Sequence, residues 1–428
     1  MKVSRYNIFY RMDNEWIAYN SFSNSLAVLG EENYREFSKF EKNNNYLLDE
    51  EFLKKLQQGG YIVEDDCDEL QLIEYEKQAE RFNQSTLSLT IAPTLNCNFR
   101  CAYCYEKERY ENEVMGEDVQ NSIIDLIESK KEDLKQLAIA WYGGEPLLAI
   151  EVVESLSENL KALCTTNNIG YSAVIVTNGY LLTDVYAQKL QKAGITSVQI
   201  TLDGLEERHN KKRPLKNGEG TYRRIIENIK SNAHYFDEIL IRVNCDSENI
   251  IEYTNLYNEI KALKLNNIKM YASPIRDFDG CYSCGGCIDK AEFKELESGI
   301  YKSLGGEIYK RFILDKYPVR GANYCGAQIN NSLIVAADGK MYKCWGDVGN
   351  TNRTFGNVCD INKVDVNKCI YYFNAYKGED CKQCSYYPIC SGGCPHENRI
   401  GKADVCEYNE KILNDYLEEI VKYKRKKA

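Results

Sequence analysis

The chain has 428 residues, 43% of them apolar, and a formal net charge of -10. That length allows two or three units with cores of their own, and the acidic balance argues against broad electrostatic binding to nucleic acid. No apolar run approaches the roughly 18 residues of a membrane span, and no N-terminal apolar targeting segment is present. The 18 cysteines are therefore read as metal thiolates in a reducing cytoplasm rather than as a secreted disulfide scaffold, and with 3 histidines any metal chemistry must run on sulfur.

Residues 1 to about 85 read as a module of their own. Tyr6–Arg11, Trp16–Tyr19 and Ser25–Leu29 have strand character, and helices are expected over Glu31–Phe40 and Asp49–Gln58. The second helix stops at Gly59-Gly60 before a short strand, Tyr61–Val63. Short strands with two or three helices are compatible with a winged-helix-like unit that binds a peptide along a strand edge; the alternative is a stabilising cap.

From Leu87 to Ala272, short β-like runs alternate with longer segments of helical period. Strands are expected at Leu87–Ala92, Leu137–Tyr142, Tyr171–Thr177, Ser197–Leu202, Ile239–Asn244 and Asn267–Ala272. Helices are expected at Glu117–Lys131, Ile150–Thr165, Asp184–Ala193, Thr221–His234 and Ile250–Leu263. The fold class is α/β, a (β/α)6 partial TIM barrel, in which chemistry gathers at the C-terminal ends of the strands.

The first of those ends carries Cys97, Cys101 and Cys104 in the spacing C-x3-C-x2-C. Three thiolates on one short turn can hold three irons of a cubane cluster and leave the fourth iron open, whereas a structural zinc site closes with four ligands. Half of a zinc ribbon is the alternative reading. The next strand end carries Gly143-Gly144-Glu145-Pro146, with glycines that permit close backbone approach and a carboxylate for a cation. The triplet, followed by Tyr105-Glu106, resembles the signature of the radical S-adenosylmethionine (SAM) enzymes. The resemblance implies a SAM-binding 4Fe-4S cluster on Cys97, Cys101 and Cys104, and a 5'-deoxyadenosyl radical that abstracts hydrogen. It further implies that Gly143–Pro146 meets SAM's amino group, that Tyr103 lies by the adenine, and that Thr177, Asn178, Gln199, Thr201 and Asp203 line the pocket. By the same resemblance Arg242 and Asn244 are expected to reach the methionine carboxylate or ribose, with Arg242 favoured for the carboxylate; their alternative is a polar pair in the barrel interior. Arg213 and the stretch Asn217–Tyr222 are assigned no chemistry.

A second cysteine set follows the barrel. Cys325 is followed by thirteen residues, Gly339, four residues and Cys344; then come Cys381, Cys384, Cys390, Cys394 and Cys406. Leu333–Val335 and Met341–Tyr342, around the Asp338-Gly339 turn, predict a hairpin. This spacing resembles the SPASM extension of radical SAM enzymes that modify peptides and proteins, with two auxiliary 4Fe-4S clusters. By position, Cys381, Cys384, Cys390 and Cys406 complete one cluster, and Cys325, Cys344 and Cys394 supply three ligands of the other. Cys281, Cys284 and Cys287 stand in a Gly-rich stretch that could supply the missing ligand, bind another metal or remain free thiols. Cys359 and Cys369 are weaker candidates, and Cys67, Cys164 and Cys245 read as small apolar fillers in regular segments.

The expected organisation is a leader-recognition domain over 1–85, the radical SAM barrel over 86–275, a connector over 276–324, the SPASM domain over 325–410, and a C-terminal helix with a basic tail over 411–428. The family resemblance implies a maturase of ribosomally made precursor peptides that forms thioether links from cysteine sulfur to a carbon. Its leader would be bound by the N-terminal domain, and electrons would come from a flavodoxin- or ferredoxin-type donor. The competing readings are an anaerobic sulfatase-maturating enzyme, which is expected to have Asp where this chain has Trp345, a peptide epimerase or carbon-carbon crosslinking enzyme, and a zinc-stabilised interaction protein.

Overall fold

Alternation of apolar residues near the N-terminus produces strands where period two demands them. The computed structural model describes residues 1–106, 113–276, 286–374, 376, 378–401, 406 and 410–425. Strand β1 (Lys2–Val3) precedes an antiparallel meander of β2 (Asn7–Met12), β3 (Glu15–Asn20) and β4 (Ser25–Gly30). Asp13, with φ of 54°, sits in the two-residue turn that pairs Met12 with Glu15, a position where a short polar side chain tolerates the left-handed region. Helices α1 (Glu31–Lys42) and α2 (Glu50–Gln58) follow, then β5 (Ile62–Val63), which pairs with β1, and α3 (Glu69–Arg81). Asp49 starts α2 by accepting the Phe52 N–H at 3.0 Å.

The chain divides into two compact units. The first joins Met1–Arg81 to Tyr301–Cys325 and Asn374–Ala428. Its meander is covered on one face by Phe37, Phe40 and Leu56 of α1 and α2. On the other face Ile8, Tyr10, Met12, Ile17 and Tyr19 meet Leu413, Leu417 and Val421 of the helix Glu410–Arg425. That helix runs through Lys422, Lys424 and Arg425 of the expected basic tail, whose side chains stay exposed on it. Helix α3 was not placed by periodicity, and the reason is visible: its buried stripe is Glu69, Ile73, Lys77 and Arg81, so three of four inward positions are charged.

The second unit comprises Phe82–Ile300 and Gly326–Phe373. Six parallel strands run in sequence order: β6 (Thr86–Ile91), β7 (Gln136–Trp141), β8 (Gly170–Thr177), β9 (Ile195–Thr201), β10 (Glu238–Cys245) and β11 (Ile268–Pro274). Between them lie α4 (Glu117–Glu128), α5 (Ile150–Thr166), α6 (Asp184–Lys192), α7 (Glu206–Lys212), α8 (Tyr222–Asn232) and α9 (Tyr253–Ala262). The expected α/β parallel arrangement is present. Differences are local: α4 ends at Glu128, Ile250–Glu252 forms a 3-10 turn ahead of α9, and the short α7 was not foreseen. The hairpin expected around Gly339 forms as β12 (Ser332–Val335) and β13 (Lys340–Tyr342), with β14 (Gly356–Asn357) beyond it. β12 pairs parallel with β6, so the hairpin extends the sheet at its first strand and covers an otherwise open edge. Cys164 and Cys245 are buried as small fillers, whereas Cys67 lies in a partly exposed turn before α3. Among the described residues, no helix is long and apolar enough to cross a membrane.

Candidate active site

The candidate SAM-pocket residues of the second unit lie in the C-terminal halves of the parallel strands or in the loops just past them. The loop after β6 carries Cys97, Cys101 and Cys104, and backbone bonds hold it from two sides. On one side Gly144 N–H donates to the Thr94 carbonyl at 3.1 Å and Glu145 N–H to Asn96 at 2.9 Å. On the other, Arg100 N–H donates to Pro214 at 2.9 Å, Ala102 to Lys212 at 3.0 Å, and Lys216 back to Asn98 at 3.0 Å. The two glycines after β7 allow the first contact. Gly143 has φ of +117°, and a Cβ there would lie 2.5 Å from the Thr94 carbonyl oxygen; at Gly144 it would overlap the carbonyls of Leu95 and Asn96. Close approach is therefore to the cysteine loop itself. Gly144→Ala is expected to push that loop away at a cost of about 1–3 kcal/mol. The checks are a lowered unfolding midpoint and reduced iron content after anaerobic reconstitution.

Cys97 is buried, Cys101 and Cys104 partly so. Burial drives the Cys97 thiol well up, with Cys101 and Cys104 adding to the rise, and drives Cys101 up to about 12 against the pull of Arg213. Three adjacent sulfurs in so enclosed a place ionise together only around a cationic centre, which is the donor set an iron-sulfur cubane requires.

Glu145 is fully buried with both oxygens engaged. One accepts Leu147 N–H at 3.1 Å and the Thr177 hydroxyl at 2.6 Å; the other accepts Asn178 N–H at 2.7 Å. Burial raises its carboxyl above the usual range and these bonds oppose the rise. Pro146, also buried, opens the 3-10 turn that follows. The Asn178 side chain donates to Asn98 Oδ1 at 2.8 Å, tying the end of β8 to the cysteine loop.

A polar knot gathers the ends of β9 and β10. Tyr103 donates to Asp203 and accepts from Arg213 Nη1 at 2.6 Å and from Asn244 Nδ2 at 3.0 Å. Asp203 has no exposed surface, and burial raises its carboxyl despite Arg213, which stands 3.9 Å away. His209 accepts the Asp203 N–H on Nδ1 at 3.2 Å. Because Thr221 Oγ1 donates to the Arg213 carbonyl, His209 Nε2 is the donor to Thr221, which sets the neutral tautomer. Burial, aided by Arg213, lowers the His209 pKa far below its ordinary value. Arg242 Nε donates to Asn244 at 2.8 Å and Nη2 to Ser273 at 2.8 Å, while Gln199 accepts the Tyr271 hydroxyl at 3.0 Å. Thr201 is buried at the end of β9, beside Arg242 in register.

Sequence reasoning passed over Arg213, His209 and Thr221. The backbone ladder between 98–102 and 212–216 brings Arg213 to Tyr103, and no apolar period encodes such a ladder. It also missed Tyr142, whose hydroxyl is hydrogen-bonded to that of Tyr105 and whose ring centroid lies 4.2 Å from that of Trp345.

Residues 91–243, spanning the cysteine loop to β10, match the family model of the radical SAM superfamily. The chain carries a radical SAM domain. Among curated proteins it is similar to the radical SAM cyclopropyl synthase TigE of Paramaledivibacter caminithermalis, with 26% identity over 84% of this chain and 79% of that one. It is also similar to the cysteine-type anaerobic sulfatase-maturating enzyme of Clostridium perfringens, with 25% identity over 72% and 88% of the two chains. Among solved structures, anSMEcpe with bound AdoMet and the Cp18Cys peptide gives a TM-score of 0.61 at 21% identity, covering 79% of this chain and 96% of that one. Streptococcus suis SuiB bound to precursor peptide SuiA gives 0.56 at 14%, covering 95% and 98%. These structural likenesses show the α/β fold with its parallel sheet.

Of the later cysteines, Cys344 follows β13 in the unit that holds the radical SAM domain. Cys325, Cys381, Cys384, Cys390, Cys394 and Cys406 belong to the other unit. Cys381 and Cys406 both act electrostatically on Cys384, and Tyr386 N–H donates to the Cys384 sulfur at 3.4 Å. Between Cys390 and Cys394, Ser391, Gly392 and Gly393 all take positive φ, of 51°, 86° and 82°. Two glycines make that reversal accessible. Cys281 and Cys284 lie outside the described residues, and Cys287 is disulfide-bonded.

Proposed function

We propose that this radical SAM enzyme modifies a ribosomally made precursor peptide, joining a cysteine sulfur to a carbon of another residue. The observation that carries the reading is the conjunction, in one chain, of the three-thiol loop at the strand ends with a second set of thiols on Cys381, Cys384, Cys390 and Cys406. When bound, the first cluster and SAM supply a 5'-deoxyadenosyl radical that removes hydrogen from a peptide carbon. The thiols of Cys97, Cys101 and Cys104 hold that cluster. Glu145 with Gly143, Gly144 and Pro146 shapes the place of SAM's amino group, Arg242 that of its carboxylate, and Thr177, Asn178, Gln199, Thr201, Asp203, Asn244 and Tyr103 the rest of the pocket.

An auxiliary 4Fe-4S cluster is assigned to Cys381, Cys384, Cys390 and Cys406, all in the first unit. The first eighty-five or so residues, with a β meander and helices, are read as a winged-helix-like leader-binding domain. SuiB, bound to a precursor peptide and matched over nearly its whole chain, supports a peptide substrate. A flavodoxin- or ferredoxin-type protein is the proposed electron donor.

The sulfatase-maturating alternative has support from relatives, but this chain has Trp345 in place of the expected Asp, and its ring stands against Tyr142 rather than offering a carboxylate. In thioether formation the peptide loses one hydrogen from carbon and one from sulfur. Anaerobic co-expression with a short cysteine-containing peptide encoded beside this gene therefore tests the proposal by mass spectrometry before and after thiol alkylation. Loss of two hydrogens with an alkylation-resistant cysteine is expected. Loss of two hydrogens with every thiol still alkylated points to a carbon-carbon link, and an unchanged mass removes crosslinking altogether.

A further inference from the structure

Helix α3 turns an unusual face inward. Glu69, Ile73, Lys77 and Arg81 follow each other at four-residue spacing, and all are buried; Lys77 retains 1% of its exposure and Arg81 3%. An apolar residue would suit such a stripe, and an uncompensated buried ammonium costs several kcal/mol. Part of that cost is met by aromatic and hydroxyl groups from a single segment. Lys77 Nζ donates to the Tyr387 hydroxyl at 2.8 Å and lies 4.6 Å and 4.9 Å from the ring centroids of Tyr387 and Tyr376. Tyr387 in turn donates to Glu74 at 2.7 Å.

The same segment carries the auxiliary thiols. Tyr387 opens the helical turn that ends at Cys390, its N–H donates to the Cys384 carbonyl at 3.0 Å, and Cys381 packs with Tyr376 against the cluster of Tyr6, Ile73 and Tyr387. Burial lowers the Lys77 pKa to about 8, with Glu74 and, less, Cys390 opposing the fall, and Arg5 donates to Gln383, tying a second N-terminal cation to this loop. A four-iron cluster with four thiolates is a net dianion when oxidised and a trianion when reduced. A buried cation nearby therefore favours the reduced form, and low exposure leaves its field little screened.

We propose that Lys77, held by Tyr376 and Tyr387, is the buried counter-charge of the auxiliary cluster on Cys381, Cys384, Cys390 and Cys406, and raises its reduction potential. Lys77 is a positioning residue for charge and touches no substrate. The inference rests on the assignment of a 4Fe-4S cluster to those four thiols. It also gives the N-terminal module a part in electron transfer, since the residue that tunes the cluster lies outside the cysteine-rich segment.

The test is an anaerobic redox titration followed by electron paramagnetic resonance, on full-length protein in which Cys97, Cys101 and Cys104 are replaced by Ala so that only auxiliary signals remain. The signal absent from the further Cys384→Ala variant is the one followed. Lys77→Met is expected to move its midpoint to more negative potential and Lys77→Arg to restore it. Glu74→Gln, which removes the acid opposing Lys77, is expected to move it the other way. Opposite shifts from two neighbours on one helix are not produced by loosened packing. Midpoints unchanged in both variants, or shifted in the same direction, overturn the role of Lys77. Zinc in place of iron on these thiols overturns the cluster assignment instead, and metal analysis of the same samples separates the two failures.

Discussion

Cys101→Ala is expected to reduce 5'-deoxyadenosine formation from SAM to the uncatalysed background. In the proposed cluster each thiol of the trio would hold one iron corner, and with two left on so short a loop a cubane has no third anchor. The backbone ladder to 212–216 and the glycine contact at Gly144 keep the loop in place without the cluster, so the variant is expected to fold. The measurement is anaerobic incubation with SAM and a chemical reductant, with deoxyadenosine quantified by liquid chromatography and iron by colorimetry. Iron should fall by about half if one auxiliary cluster remains. Deoxyadenosine formation retained at the wild-type level would remove the basis of the proposed function.

Arg213→Met is expected to destabilise the barrel by about 3–5 kcal/mol, the range for removing one partner of a buried pair. Arg213 is 7% exposed and Asp203 fully enclosed, so without the guanidinium the Tyr103 hydroxyl loses a donor and the carboxylate loses its ion-pair partner 3.9 Å away. Against a typical total of about 5–15 kcal/mol, such a loss is severe. The check is anaerobic denaturant unfolding of the wild type, Arg213→Met, Asp203→Asn and the double variant. The double variant should lose less than the sum of the singles, because it leaves no unpaired charge. Arg213 is also the chief influence that favours the Cys101 thiolate, so iron retention should fall in Arg213→Met and partly recover in Arg213→Lys. Additive losses within error would show that the two side chains do not act as a unit.

Much of the fold was legible because it rests on periodicity. The six barrel strands and five of the six labelled helices between them were expected within a few residues of where they occur, since a parallel sheet covered by helices forces apolar runs and amphipathic stripes. The C-x3-C-x2-C spacing was legible for a different reason: Cys97, Cys101 and Cys104 stand on one short loop, and that constraint is local. The hairpin around Gly339 was legible from its turn, and Gly339 does take positive φ, at 77°.

What sequence by itself determined here is thus what short-range geometry controls: the strand and helix order, the three-thiol loop, and the close-approach glycines after β7. Tertiary structure alone decided which distant polar groups meet. Arg213 reaches Tyr103 through a backbone ladder, and Glu145 spends its oxygens on Thr177, Asn178 and Leu147. Helix α3 buries Lys77 and Arg81 where a period-based reading looks for leucines. The physical reason is common to all three. Buried polar groups are placed by partners far along the chain, and their stabilisation comes from pairing, which leaves no repeat in the sequence to read.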